Sequence, residues 1–217
     1  MTNIDELSYG TPLRGQLDYL KEGSYLDSCF ADLTQFTFPK NSADATKDEL
    51  KVILQHIQQL IKTKEENLKR YQLYDVKMAK FYINYLCENG LKEKVEEITD
   101  IVKGIIEDTT PLAYKLKYFF QRPRPYQLAQ YNKLLLFPFC TTSSPSFPSK
   151  HAFQSKVLSE VLGNTYPQLY KPLKNLHDDI CDSRLSLGVS YSSDIDVGEY
   201  VGETVLGIHE FKIKFKL

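Results

Sequence analysis

No apolar run in this 217-residue chain is long enough to cross a bilayer. The longest, residues 134–140, is broken by Pro138 and falls far short of the roughly 20 apolar residues that a spanning helix needs. Nor does charge of one sign dominate: 27 Lys plus Arg nearly cancel 28 Asp plus Glu, which argues against a global field for nucleic acid or an acidic membrane. Any anion site must therefore be local. C-x-x-C spacing is missing as well, since Cys29, Cys87, Cys140 and Cys181 lie far apart. A zinc cluster is not expected, no metal site is assigned, and buried free thiols are the default; two disulfides would suit an oxidising compartment, with no pairing readable. The acidic N-terminus, with Asp5 and Glu6, shows no basic stretch followed by an apolar one, so the chain is expected to stay where it is made unless an export signal has been removed.

What is present is an ordinary folding composition, 42% hydrophobic and 25% charged. Residues 1–43 lack a sustained period and carry Gly10, Pro12, Gly15, Gly23 and Pro39, predicting an irregular arm packed on a helical domain over 44–217. Leu50, Ile53, Leu54, Ile57, Leu60 and Ile61 recur at spacings of three and four, predicting a helix over about 46–69 that opens on a Thr46–Glu49 capping box. Further helices are expected over 75–89, ended by Gly90; from 91 to about 106; from Thr110–Pro111 through Lys117; over 148–162; over 168–188; and over 193–209 with Ser193 and Asp194 as caps. The fold class is all-α, a single-domain bundle of about seven helices with long connections and no internal repeat.

Three separated stretches carry chemistry. Lys117 and Arg124 lie seven positions apart, so two cations project on one side while the helix persists. Pro148 and Ser149 open a helix whose free N–H groups and Ser149 hydroxyl suit a phosphate, with Lys150 and His151 beside them. An imidazole next to that anion would favour its cationic form and donate a proton to a leaving oxygen. Arg184 offers a planar fork of donors, followed by a turn through Gly188, Ser190 and Asp194. Singly, each stretch reads equally well as a decorated helix end.

Together, in this order, Lys-x6-Arg-Pro, Pro-Ser-x-His and Ser-Arg…Asp closely resemble the tripartite signature of type-2 phosphatidic acid phosphatases, class A acid phosphatases and vanadium haloperoxidases. The resemblance extends from Phe38 to the glycine-spaced last helix with Gly198 and Gly202. Lys115 and Arg122 satisfy the first spacing too, but the second arginine of a doubled Arg-Pro is the one the family uses. The resemblance implies an acid-phosphatase or haloperoxidase-like core in which Lys117, Arg124, Ser149, Lys150 and Arg184 bind phosphoryl oxygens. It further implies that His151 protonates the leaving group and Asp194 orients a nucleophilic histidine. That histidine is absent. Gly188-Val189-Ser190-Tyr191 stands where the pattern has Gly-Val-His-Tyr, and losing a covalent nucleophile costs on the order of 10⁶ in rate, about 8 kcal/mol.

Three explanations stay open: an engineered trap, a pseudoenzyme that still binds phosphate, or a rewired site with His177 as the nearest substitute, some 10 Å of helix from Arg184. The implied activity is a metal-free, soluble phosphohydrolase acting on small phosphomonoesters, impaired by Ser190. The alternative is an inactive oxyanion-binding or assembly protein. No cofactor is implied, although phosphate or vanadate would fit the pocket. The implied partners are a small phosphorylated substrate and, through the arm and 15 tyrosines, a homo-oligomer or larger assembly. A cytoplasmic or virion-associated location follows, or a periplasmic or secreted one if a signal was removed.

Overall fold

In the computed structural model, which describes residues 3–217, the helical period of residues 50–60 becomes α3, Asp44–Lys62, with Leu50, Ile53, Ile57 and Leu60 buried. Two short helices precede it, α1 (Arg14–Lys21) and α2 (Phe30–Leu33), and the chain continues through α4 (Glu65–Leu86) and α5 (Val95–Phe120). The remaining helices are α6 (Pro125–Ala129), α7 (Lys150–Thr165), α8 (Tyr170–Ser186), α9 (Ser192–Gly207) and α10 (His209–Phe215). No strand occurs among the described residues, and no helix there is long and apolar enough to cross a membrane. All four cysteines are unpaired.

Three features differ from the sequence expectation. The helix expected to run to residue 69 stops at Lys62 because Thr63 is extended (φ −86°, ψ 175°) and its hydroxyl caps the Leu60 carbonyl. A new helix then starts with Glu65 and Glu66 in its first turn, where carboxylates favour the helix dipole. The two helices expected on either side of Thr110–Pro111 are one. Thr109 and Thr110 donate their hydroxyls to the Ile105 and Ile106 carbonyls, and Leu112, Ala113 and Leu116 continue the buried stripe, so core packing overrides the proline signal. Thr46 is not part of a capping box; its hydroxyl donates to the Lys40 carbonyl, which leaves Glu49 for other work. Gly90, at φ +94°, does adopt the left-handed conformation expected of it.

The stretch over residues 3–43 folds as short helical turns joined by non-helical segments, one turn opened by a Ser24–Asp27 capping box and anchored by buried Leu26 and Leu33. It also braces a distant loop: the Tyr9 hydroxyl donates to the Thr142 carbonyl, and Gln16 donates to the Ser143 carbonyl at 2.8 Å.

Helix α7 is the central element, packed against α5, α8 and α9 and buried on every face, as expected of a helix with no solvent side. Its approach to α9 depends on two glycines. A Cβ on Gly198 would lie 2.6 Å from the Ser149 carbonyl, and one on Gly202 would lie 2.9 Å from the Lys156 side chain. That close packing fixes the N-terminus of α7 at one end of the bundle, where the chemistry-bearing residues collect.

Candidate functional site

At that end lies a polar cavity of about 150 Å³. Lys117 enters it from the last turn of α5, Arg124 from the N-cap of α6, and Arg184 from the last turn of α8. Ser149, Lys150 and His151 come from the cap and first turn of α7, and Ser190 from the turn between α8 and α9. Seven of the eight residues singled out from the sequence thus line one cavity, although the three stretches are distant in the chain.

Lys117 and Arg124 are held in place by backbone oxygens. Lys117 Nζ donates to the Pro145 and Ser146 carbonyls at 2.7 and 3.1 Å. Arg124 donates from Nε to the Ser144 carbonyl (2.8 Å) and from Nη1 to the Val189 carbonyl (2.6 Å). Arg184 donates from Nη2 to Asp75 Oδ1 at 2.8 Å, while its Nε and Nη1 are buried without a hydrogen-bond partner. Two orphaned donors on a guanidinium that lines a cavity are what an absent anionic ligand leaves behind, because a buried unpaired polar group is costly. Lys150 Nζ sits 5.3 Å from the Tyr114 ring centroid. Burial, followed by the Arg124 charge, drives Lys117 well below its ordinary pKa, and burial and Arg184 lower Arg124 and Lys150. The cavity is thus crowded with like charge and poised for a counterion.

His151 departs from expectation. Burial comes first, then the Arg184 and Lys150 charges, and together they hold its pKa well below the ordinary histidine value, so the imidazole is neutral without an anion beside it. Its Nε2 lies 3.2 Å from the Asp75 carbonyl oxygen.

Asp194 stands apart. It is fully buried behind the cavity, with Oδ1 accepting from Arg122 Nη1 (2.7 Å) and Oδ2 accepting from the Tyr191 amide and the Ser146 hydroxyl. Its oxygens are engaged there, and no hydrogen bond joins it to Ser190 among the described residues. Ser190, 2% exposed, is placed by its amide donating to the Arg184 carbonyl at 3.3 Å.

The alternative pair serves other purposes. Arg122 joins Glu49 and Asp194 in a buried network, each contact within 2.8 Å, and Lys115 pairs with Asp27. The sequence reading missed Asp75 and Glu49. Asp75 carries no local signal on α4, whereas Glu49 had one that pointed to a cap. His177 lies outside this cavity, bonded to Ser155 and Glu199.

No family model and no curated relative matches the sequence. Solved structures do match the fold. A bacterial vanadium-dependent iodoperoxidase superposes with a TM-score of 0.67 at 16% identity, covering 99% of this chain and 61% of that one. A transmembrane PAP2-type phosphatidylglycerolphosphate phosphatase from Bacillus subtilis superposes with a TM-score of 0.55 at 18% identity, covering 88% and 92%. The chain thus has the helical fold shared by haloperoxidases and PAP2 phosphatases, and it spans about three fifths of the length of the iodoperoxidase.

Proposed function

We propose that this chain binds a tetrahedral oxyanion in the Lys117–Arg124–Arg184 cavity and is a metal-free phosphohydrolase of the acid phosphatase type, acting on small phosphomonoesters and impaired by Ser190. The observation that carries the reading is Arg184, with Nε and Nη1 buried and unpartnered in a cavity lined by two further buried cations. Phosphoryl transfer spreads negative charge over three equatorial oxygens, so preorganised cations and the amides at the start of α7 are its main catalytic tool.

The order of events follows from the charges. A bound phosphate adds negative charge beside His151, raises its pKa, and draws a proton onto the imidazole, which then passes to the leaving alkoxide. Binding at about pH 6 is therefore coupled to proton uptake. Ser190 offers no ring nitrogen to attack phosphorus, and Asp194, occupied by Arg122, Ser146 and Tyr191, is not placed to activate its hydroxyl. For the same reason the donor set suits a free phosphate or vanadate but not a vanadate held through a ring nitrogen at that position, which disfavours haloperoxidase chemistry.

The alternative, a binding or assembly protein on the same scaffold, is favoured by Ser190 itself and by Asp75, whose carboxylate already engages one edge of Arg184. Turnover of p-nitrophenyl phosphate by the native chain and by Ser190→His separates the two readings. Restored turnover with an acid-labile phosphohistidine supports the phosphohydrolase reading. Phosphate binding without turnover in either protein supports the alternative, and the absence of both binding and turnover refutes the site.

A further inference from the structure

A second cluster lies on α8, with His177 about 10 Å along the helix from Arg184. His177 and Cys181, four residues apart and therefore on one face of α8, meet Glu199 of α9, and one ligating atom from each lies within 4.8 Å of the others. We propose that His177, Cys181 and Glu199 form a site for a borderline-soft divalent cation of the zinc type, with a fourth position open to water.

Three observations point there. The first is distance. His177 Nε2 to Glu199 Oε1 is 2.7 Å, and Cys181 Sγ lies 3.8 Å from that nitrogen and 4.0 Å from that oxygen. Tetrahedral zinc with Zn–N near 2.0 Å and Zn–S near 2.3 Å has ligand edges of about 3.3–3.7 Å, so the Glu199 carboxylate swings out slightly and the thiol turns in. Glu199, 38% exposed, has the freedom to do so, while His177 is held fast.

The second observation is the proton count around His177. The Ser155 hydroxyl has one proton and two takers, the Ala152 carbonyl at 3.2 Å and His177 Nδ1 at 2.7 Å. If that proton serves Ala152, Nδ1 must be the donor to Ser155, and the Nε2 lone pair then faces the Glu199 carboxylate. In that tautomer the nitrogen and the carboxylate share a proton at 2.7 Å, and a metal ion takes the place of that proton once the carboxylate swings out. The same arrangement is how ligating histidines are usually oriented, with the second ring nitrogen tied to a fixed acceptor.

The third is access and charge. Cys181 borders a groove that Asp178, Asp182 and Asp196 also line, so its mouth carries a local negative field in a chain whose net charge is close to zero. Thiolate and carboxylate together neutralise a divalent ion. A fully buried Ser155 has no route for a substrate, which excludes reading Ser155–His177–Glu199 as a hydrolytic triad.

Cobalt(II) titration of the reduced, metal-stripped protein tests this inference. One equivalent should bind and give thiolate-to-cobalt charge transfer with the strong visible bands of tetrahedral cobalt. Zinc should displace it, and zinc should raise the melting temperature of the native chain but not of Cys181→Ala. Glu199→Gln, on a partly exposed position, should retain the fold and weaken binding at least tenfold. Absence of the charge-transfer band, or a cobalt stoichiometry and affinity unchanged in Cys181→Ala and Glu199→Gln, overturns the proposal.

Discussion

Arg184→Ala should remove most of the affinity for phosphate or vanadate. Among the described residues Nε and Nη1 are buried with no hydrogen-bond partner, and Arg184 is 2% exposed, so both donors are free to bond a ligand. A hydrogen bond to a charged group contributes about 1.5–3 kcal/mol. Two lost together amount to about 3–6 kcal/mol, or roughly 10²–10⁴-fold in Kd. A second effect adds to the first. Removing the guanidinium leaves the Asp75 carboxylate, now paired at 2.8 Å, facing the incoming anion. Isothermal titration with phosphate at pH 6 to 7, on Arg184→Ala and on Arg184→Lys, gives the numbers. Lysine keeps the charge but not the fork, so it should fall between the two. A Kd within threefold of native in the alanine variant, with helical circular dichroism retained, would refute the assignment of the cavity.

Other outcomes follow from the same geometry. Gly198→Ala places a Cβ 2.6 Å from the Ser149 carbonyl and should destabilise the fold by about 1–3 kcal/mol, read as a lowered melting temperature; Gly207→Ala, with nothing near its Cβ, is the matched control. Arg122→Ala leaves Asp194 buried and unpaired and should cost about 3–5 kcal/mol in urea unfolding, and a loss under 1 kcal/mol would contradict the network. His151 gives a pH signature. Below about pH 6.5 the unfolded chain takes up a proton that the folded chain refuses, so this histidine has no effect above that pH and destabilises the fold progressively as the pH falls toward its lowered folded value. His151→Gln should flatten the stability profile between about pH 5 and 6.5 by up to about 1.4 kcal/mol per pH unit, and an unchanged slope would count against the neutral imidazole.

The helical class was legible because it depends on apolar spacing along the chain, and the convergence of Lys117, Arg124, Ser149, Lys150, His151, Arg184 and Ser190 because the order of their three stretches resembles the family signature. Helix α3 announced itself through a clean apolar period, and so did the turn at Gly90, where φ is positive. Failures came where tertiary contacts decide. Pro111 reads as a helix start, yet buried residues on both sides carry α5 straight through it. Glu49 three positions after Thr46 has the form of a cap, but its carboxylate reaches across the bundle to Arg122 and Ser193. Asp75 is one of three acidic residues on α4, and only the folded chain brings it to Arg184. The same limit applies to His151, whose lowered pKa depends first on burial and then on Arg184, which comes from another helix. Cys181 and Glu199 are 18 residues apart, so no local motif could pair them with His177.

The central claim is that donors from three distant stretches surround one tetrahedral anion, and a crystal grown with tungstate tests it most directly. The account predicts an anomalous peak within hydrogen-bonding distance of Arg184 Nε and Nη1, with Lys117, Arg124 and the first amides of α7 around it. A well-ordered crystal with that cavity empty of tungstate, or with the ion bound elsewhere, would contradict it.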